Sequence, residues 1–356
     1  AGLDRGVSER HDSLDMLGAT LALPEQFDEA RRSTAEVVGA VEGLPRGEDL
    51  DAVVVVGMGG SGIGGDVVHA IGAGSLTCPV VVSKEYEIPG FVGPDTLVIA
   101  ASFSGNTEET LEAVAGAEAA GAPWVAVTAG GRLGELAHEA GRPVLPVDAT
   151  IPMPRAGIAA VSVPPIVLLG AIGALPGADD LLDAASAQLR SRRDGLVADD
   201  SEIVHLAAHI DRTMPLIYGG GPVGRVAAVR WKNQVNENAK APAFAHSVPE
   251  LMHNEICGFG QHGDMTRQVL SLIELRHSGE HPQIRRRFQL LRPLMDEVVN
   301  HRFVVEAEGD GPLAQFFDLV LLGDLWSLHL AFNEGVDPGP IPVLMDLKAA
   351  LAQPPR

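Results

Sequence analysis

Twice in this chain a short strand-like run ends in glycines and gives way to a helical pattern. Ala52–Val56 leads into Gly57-Met58-Gly59-Gly60-Ser61-Gly62, and Leu216-Ile217-Tyr218 leads into Gly219-Gly220-Gly221-Pro222. A strand that passes through glycine into a helix belongs to a parallel sheet, because the helix must carry the chain back to the edge where the next strand begins. Around both turns the alternation continues. Strands are predicted at 79–83, 96–102, 124–128 and 143–147 in the first series, and at 268–275 and 302–306 in the second. Helical spacing is predicted at 66–71, 107–120, 133–140, 223–238, 282–299 and 313–332, with a helical tail at 346–351. Strands that read as continuous apolar runs, alternating with helices, are covered on both faces. The expected fold is α/β with two doubly wound parallel-sheet halves of similar build.

Residues 1–50 carry two amphipathic helical patterns, 9–21 and 24–44, and are expected to form an N-terminal helical arm. Residues 51–198 then make the first half with its connecting helices, and 199–356 the second half with its tail. The segment 157–174 is apolar apart from Ser162 and approaches bilayer-spanning length. It contains Pro164 and Pro165 and lacks aromatic or basic flanks, so a buried helix broken near the prolines is expected.

A formal net charge of −21, from 47 acidic and 26 basic residues, disfavours nucleic acid and anionic membranes as partners. It equally means that any phosphate site must be built locally, from backbone N–H groups and hydroxyls. Cys78 and Cys257 are too few for a disulfide framework, and no charged-apolar-small leader opens the sequence, so a cytoplasmic setting is expected.

Two segments have the composition of such an anion site. Gly59-Gly60-Ser61 and the stretch from Ser102 through Ser104 to Thr107 both stand where a strand ends and a helix begins, at the sheet edge where open α/β folds bind ligands. The glycine turn alone has an equally good structural reading. In the second segment Glu108 and Glu109 would suit an ordinary helix start, yet the hydroxyls outnumber what one cap requires. The Walker lysine is absent, and Lys84-Glu85 is an ambiguous match to the acidic residue of a dinucleotide fingerprint, which disfavours a dehydrogenase. Farther on, Asn236-Glu237-Asn238-Ala239-Lys240 and Leu251-Met252-His253-Asn254-Glu255 set a carboxylate and an imidazole on elements separated by Pro242 and Pro249. A base and an acid converging beside a phosphate cradle is the equipment of aldose–ketose isomerisation. The bland alternatives are a solvated helical glutamate and a structural histidine.

Gly59-Gly60-Ser61-Gly62, Ser102 to Glu109, Pro154-Arg155-Ala156-Gly157, Asn236 to Lys240, His253-Asn254-Glu255 and the Lys348 tail occur in an order, from about residue 50 to 350, that closely resembles bifunctional phosphoglucose/phosphomannose isomerases, built from two sugar isomerase (SIS) domains. The resemblance implies conversion of glucose 6-phosphate, and mannose 6-phosphate, to fructose 6-phosphate without metal or other cofactor. It implies Glu237 as the base that moves a proton between C1 and C2, Arg155 as the cation facing the enediolate, and His253 with Lys348 as the groups that open the sugar ring. It also implies a homodimer in which His253 reaches the partner's site. His246, Glu250, His253 and Cys257 are close in sequence, but Pro249 interrupts the helix that would align them on a metal. Where many members carry a hydroxyl after an Asp-Pro, this chain reads Asp337-Pro338-Gly339-Pro340, which leaves the balance between the two C2 epimers open. A non-catalytic SIS protein that binds a sugar phosphate and regulates a partner is the alternative; it predicts loss of the base or ring-opening groups, and Glu237, Arg155, His253 and Lys348 are all present.

Overall fold

A computed structural model describes residues 11–196, 202–210 and 212–351 and contains two parallel sheets. The first is formed by β1 (Ala52–Val56), β2 (Val80–Ser83), β3 (Thr96–Ala101), β4 (Trp124–Thr128) and β5 (Val144–Pro146), in the order β2-β1-β3-β4-β5. The second is formed by β6 (Met214–Gly220), β7 (Phe244–Val248), β8 (Leu270–Arg276) and β9 (Arg302–Glu306), in the order β7-β6-β8-β9. In each sheet the chain crosses from one side of the first strand to the other. Crevices therefore open at the carboxyl ends of the β1/β3 and β6/β8 pairs.

The period of two along each strand sorts side chains between cores. Val53, Val55, Leu97 and Ile99 face one core, and Val54, Val56, Val98 and Ala100 the other. The first of these cores also holds Ile217, Ile273 and Leu275 from the second sheet, so it runs between the two halves and joins them. Leu216, Tyr218 and Leu272 point the opposite way, onto Phe288 and Leu291 of the helix Pro282–Met295.

Two apolar helices fill the shared core. Ile158–Ala171 is one unbroken helix containing both Pro164 and Pro165, a correction to the break expected there. Pro165 offers no N–H to the Val161 carbonyl, and Gly64 of the helix Gly59–Gly72 backs onto that same oxygen, where any side chain would collide. Close packing of the two backbones thus accompanies a helix that stays continuous through both prolines. The other helix, Gly311–Asn333, is long and apolar enough to cross a membrane, yet 94% of its apolar window is buried inside the protein. It carries Asp318 and Asp324 inward, each against an arginine, Arg192 at 3.2 Å and Arg230 at 2.6 Å. Such pairing is what a buried carboxylate requires.

The strand β7, parallel to β6 at the sheet edge, was not legible in the sequence: His246 and Ser247 interrupt its apolar run and prolines flank it. At the N-terminus the helices Met16–Leu21 and Leu23–Ala40 lie on the body of the protein, with Phe27 wholly buried edge-on to Phe317 at 5.1 Å. The start of the first helical pattern at residue 9, the division expected between 198 and 199, and residues 352–356 lie outside the described residues.

Candidate active site

Three loops meet at the carboxyl edge of the first sheet. The β1 turn is tied to the β3 loop by the Ser61 hydroxyl, whose oxygen accepts the Phe103 N–H at 2.9 Å. Gly60 lies against the backbone of Pro154 and Arg155: a side chain there would meet the Pro154 carbonyl carbon at 3.6 Å and the Arg155 nitrogen at 3.7 Å. Gly157 packs on the Phe103 ring. The glycines and hydroxyls read from the sequence are thus assembled with Arg155 in one place.

Neither helix that starts here has a side-chain cap. Met58 precedes Gly59–Gly72, and Thr107 precedes Glu108–Ala119, each without a capping hydrogen bond from its side chain. The first N–H groups of a helix have no intrahelical acceptor and carry the positive end of the dipole, so two uncapped starts at one crevice favour an anion between them. Thr107 spends its hydroxyl on Ser102 instead, at 2.8 Å. Ser102 is wholly buried, which places it behind Thr107 as the group that orients that hydroxyl, whereas Ser104 is exposed and accepts the Asn106 N–H at 3.3 Å. Gly59, with φ of 50°, has open space where a side chain would stand.

Arg155 connects this cradle to the second half. It is 3% exposed and sits in the single turn Pro154–Ala156. Its Nε donates to Asn238 Oδ1 at 2.7 Å, and its Nη2 to the carbonyls of Pro338 and of Gly339, the latter at 2.6 Å. The Arg155 carbonyl in turn accepts from Arg230, whose guanidinium is held by Asp324 at 3.0 and 2.6 Å. Every contact fixes the guanidinium plane except at Nη1. That nitrogen is buried with no hydrogen-bond partner among the described residues, and Glu237 Oε2 is 3.8 Å away. Burial pulls the guanidinium pKa below its ordinary value, Glu237 opposes this, and the neighbouring Arg230 adds to it. A buried donor left open beside a carboxylate is a place for a ligand oxygen.

Glu237 owes its position to an irregularity. The helix Gly221–Gln234 passes into a π-type turn, Val235–Ala239, which ends at Lys240 with φ of 55°. Such turns redirect side chains and recur at functional sites. Asn238, on the same turn, is buried between Arg155 and Ser327, to which it donates at 2.9 Å.

His253 and Lys348 are not brought to Glu237 within this chain. His253 ends the turn Glu250–His253, anchored by the buried Leu251 and by Tyr218, which donates to Glu255 at 2.5 Å; its ring is exposed and makes no hydrogen bond or ion pair among the described residues. Lys348 stands on the helix Pro342–Leu351, exposed along its whole length. Sequence reasoning also missed Arg230, Asp324 and the Pro338 and Gly339 carbonyls. The only signal for the first two was a pair of aspartates in an otherwise apolar helix, which demands partners; carbonyl contacts leave no trace in side-chain identity.

Residues 199–351 match the family described as bacterial phospho-glucose isomerase C-terminal SIS domain. The chain is 34% identical over 345 residues to the bifunctional phosphoglucose/phosphomannose isomerase of Caldicellulosiruptor bescii, covering 95% of this chain and 99% of that protein. It is 30% identical to the enzyme of the same name from Thermoplasma acidophilum, with 92% and 98% covered. In fold it resembles the C-terminal domain of glucosamine-fructose-6-phosphate aminotransferase from Francisella tularensis, with a TM-score of 0.68 at 15% identity over 91% of this chain and 98% of that one. With such identity across nearly the full length of both proteins, the chain belongs to the bifunctional phosphoglucose/phosphomannose isomerase family.

Proposed function

We propose that this protein is an aldose–ketose isomerase that interconverts glucose 6-phosphate, and mannose 6-phosphate, with fructose 6-phosphate through an enediol. The observation that carries the reading is the open, buried Nη1 of Arg155 beside Glu237, next to two uncapped helix starts. The phosphate takes the N–H groups of Gly59 and Gly60 and the hydroxyls of Ser61, Ser104 and Thr107, with Ser102 orienting Thr107. Glu237 removes the proton from C2 of the open-chain aldose, holds it, and returns it to C1. Negative charge builds on the substrate oxygen meanwhile, and Arg155, fixed before the substrate arrives, meets it without reorganisation. A guanidinium suits this work because it stays charged even when burial lowers its pKa.

His253 and Lys348 open the ring, His253 from the partner subunit of a homodimer. This is supported by the exposed, unengaged imidazole and by the exposed helix Pro342–Leu351, whose Val343, Met345, Leu347 and Leu351 are 57–75% exposed and want cover.

Coupled assays with glucose 6-phosphate and with mannose 6-phosphate test the reading, run on wild type and Glu237→Gln. Wild type is expected to turn over both, and the variant to lose at least about a thousandfold in kcat with little change in sugar-phosphate binding, since proton transfer by a placed side chain contributes up to about 10⁴-fold. Near-normal turnover by the variant removes Glu237 as the base.

A further inference from the structure

Lys240 takes no part in the proton transfers above, yet it holds an unusual position. It closes the π-type turn in the left-handed region, with φ of 55°, where non-glycine residues other than Asn and Asp are uncommon. From there its Nζ returns over the turn and faces three carbonyl oxygens: Glu237 at 2.7 Å, Pro338 at 3.1 Å and Asn238 at 3.4 Å. The Pro338 oxygen is shared with Arg155 Nη2. One ammonium thus touches the backbone of the Glu237 turn and the loop on which the Arg155 guanidinium rests.

We propose that Lys240 is a positioning residue whose ammonium ties the Glu237 turn to the 337–339 loop and so keeps the carboxylate and the Arg155 guanidinium in register. The inference rests on the isomerase reading and extends it to a residue outside the proton path. An ammonium offers three donors to three carbonyls. The neutral amine has only two donors, and its lone pair would face a carbonyl oxygen. Charge on Lys240 is therefore part of the clamp.

The charged groups that face it are Arg155, Asp337 and Glu237. Burial, then the positive Arg155, push Lys240 down to about 8, while Asp337 and Glu237 pull the other way. Asp337 itself is pulled up by burial, but hydrogen bonds from Ser13 and the Gly339 N–H and the charge of Lys240 outweigh this and hold it low. It stays ionised when Lys240 titrates. The sign follows: the clamp is charged and complete below about pH 8 and is lost as pH rises through that value.

The test compares kcat–pH profiles of wild type, Lys240→Arg and Lys240→Met with glucose 6-phosphate. Wild type is expected to show an alkaline limb near pH 8. Lys240→Arg, which keeps its charge, is expected to lose that limb while retaining kcat at pH 7 within roughly fivefold. Lys240→Met is expected to lose about ten- to a hundredfold in kcat with KM within about threefold, as small misplacements of catalytic groups do. If wild type turns over and Lys240→Arg keeps the limb at the wild-type pH, the proposal fails even should the methionine variant not fold; it fails too if Lys240→Met folds and keeps full kcat. A wild type with no turnover overturns the isomerase reading and this inference together.

Discussion

Gly59-Gly60-Ser61 and Gly219-Gly220-Gly221 hold the same place in their sheets, each joining the sheet's first strand in the chain to the helix that follows it, but the space over the two turns is filled differently. Above the first, the missing side chain of Gly59 looks into open space and the neighbouring loop after β3 brings hydroxyls. Above the second, the loop after β8 brings Glu280, whose Oε1 lies where a side chain on Gly220 would stand. Glu280 is 5% exposed and is gripped by Arg276 at 2.8 and 2.6 Å, while that guanidinium stacks on Phe288 at 4.0 Å. His277 adds a contact of 2.9 Å to the Gly220 carbonyl. The fold supplies a helix start twice, and the loop from the adjacent strand decides whether it stays open to an anion or receives a carboxylate of the chain's own. The second half places Glu237 beyond the opposite end of its helix, beside Arg155.

The largest test of that contrast is to remove the internal carboxylate. Glu280→Ala strands Arg276 and leaves a cationic gap over Gly220.

 Deprived of Glu280, Arg276 keeps only Glu274, at 3.9 Å, as an ion-pair partner among the described residues. Breaking a buried pair from one side costs about 3–5 kcal/mol, because the remaining charge stays buried. Glu280→Ala should therefore melt well below wild type, and inorganic phosphate should raise its melting temperature more than it raises that of wild type, by occupying the vacated place. A variant as stable as wild type, or one indifferent to phosphate, would show that the second turn is not an anion site with its own carboxylate in it.

The middle test acts on the open turn. Thr107→Val removes a hydroxyl from the cradle without changing its shape, and a hydrogen bond to a charged group contributes about 1.5–3 kcal/mol. KM for glucose 6-phosphate should rise roughly ten- to a hundredfold with a smaller change in kcat. Ser278→Ala, in the matching loop of the second half, should leave KM where it was. Equal effects at the two positions would erase the distinction between the loops.

How far the sequence reaches follows the same division. The strands of both halves other than β7 were legible, most plainly where burial on both faces writes an unbroken apolar run, as in Ala52–Val56. The gathering of glycines and hydroxyls at the first crevice was legible because such residue types carry their chemistry in their names. Glu280 and His277 were not, since a carboxylate over a glycine turn depends on where the β8 loop folds, and nothing local in the sequence specifies that. The π-type turn under Glu237 was read as plain helix because its spacing departs from helical by one residue only at the end. The two proline residues of Ile158–Ala171 misled for the converse reason: local chemistry forecast a break that packing against Gly64 overrides.

The smallest effect separates the turns by sterics alone. Gly59 has φ of 50° and nothing within reach of an added methyl, so Gly59→Ala should cost only the strain of a left-handed alanine, about 1 kcal/mol, while the methyl stands at the mouth of the cradle. Gly220 has ordinary backbone geometry, with φ of −86°, so Gly220→Ala carries no such strain. Its methyl instead lands on the Glu280 carboxylate and must push it off Arg276, an overpacking cost of about 1–3 kcal/mol. Denaturant unfolding of the two variants should therefore rank Gly220→Ala as the less stable, whereas KM should rank Gly59→Ala as the weaker binder. The crossing of the two orders is what matters: a shared order would mean that both turns serve the fold alone, and that the phosphate is held elsewhere.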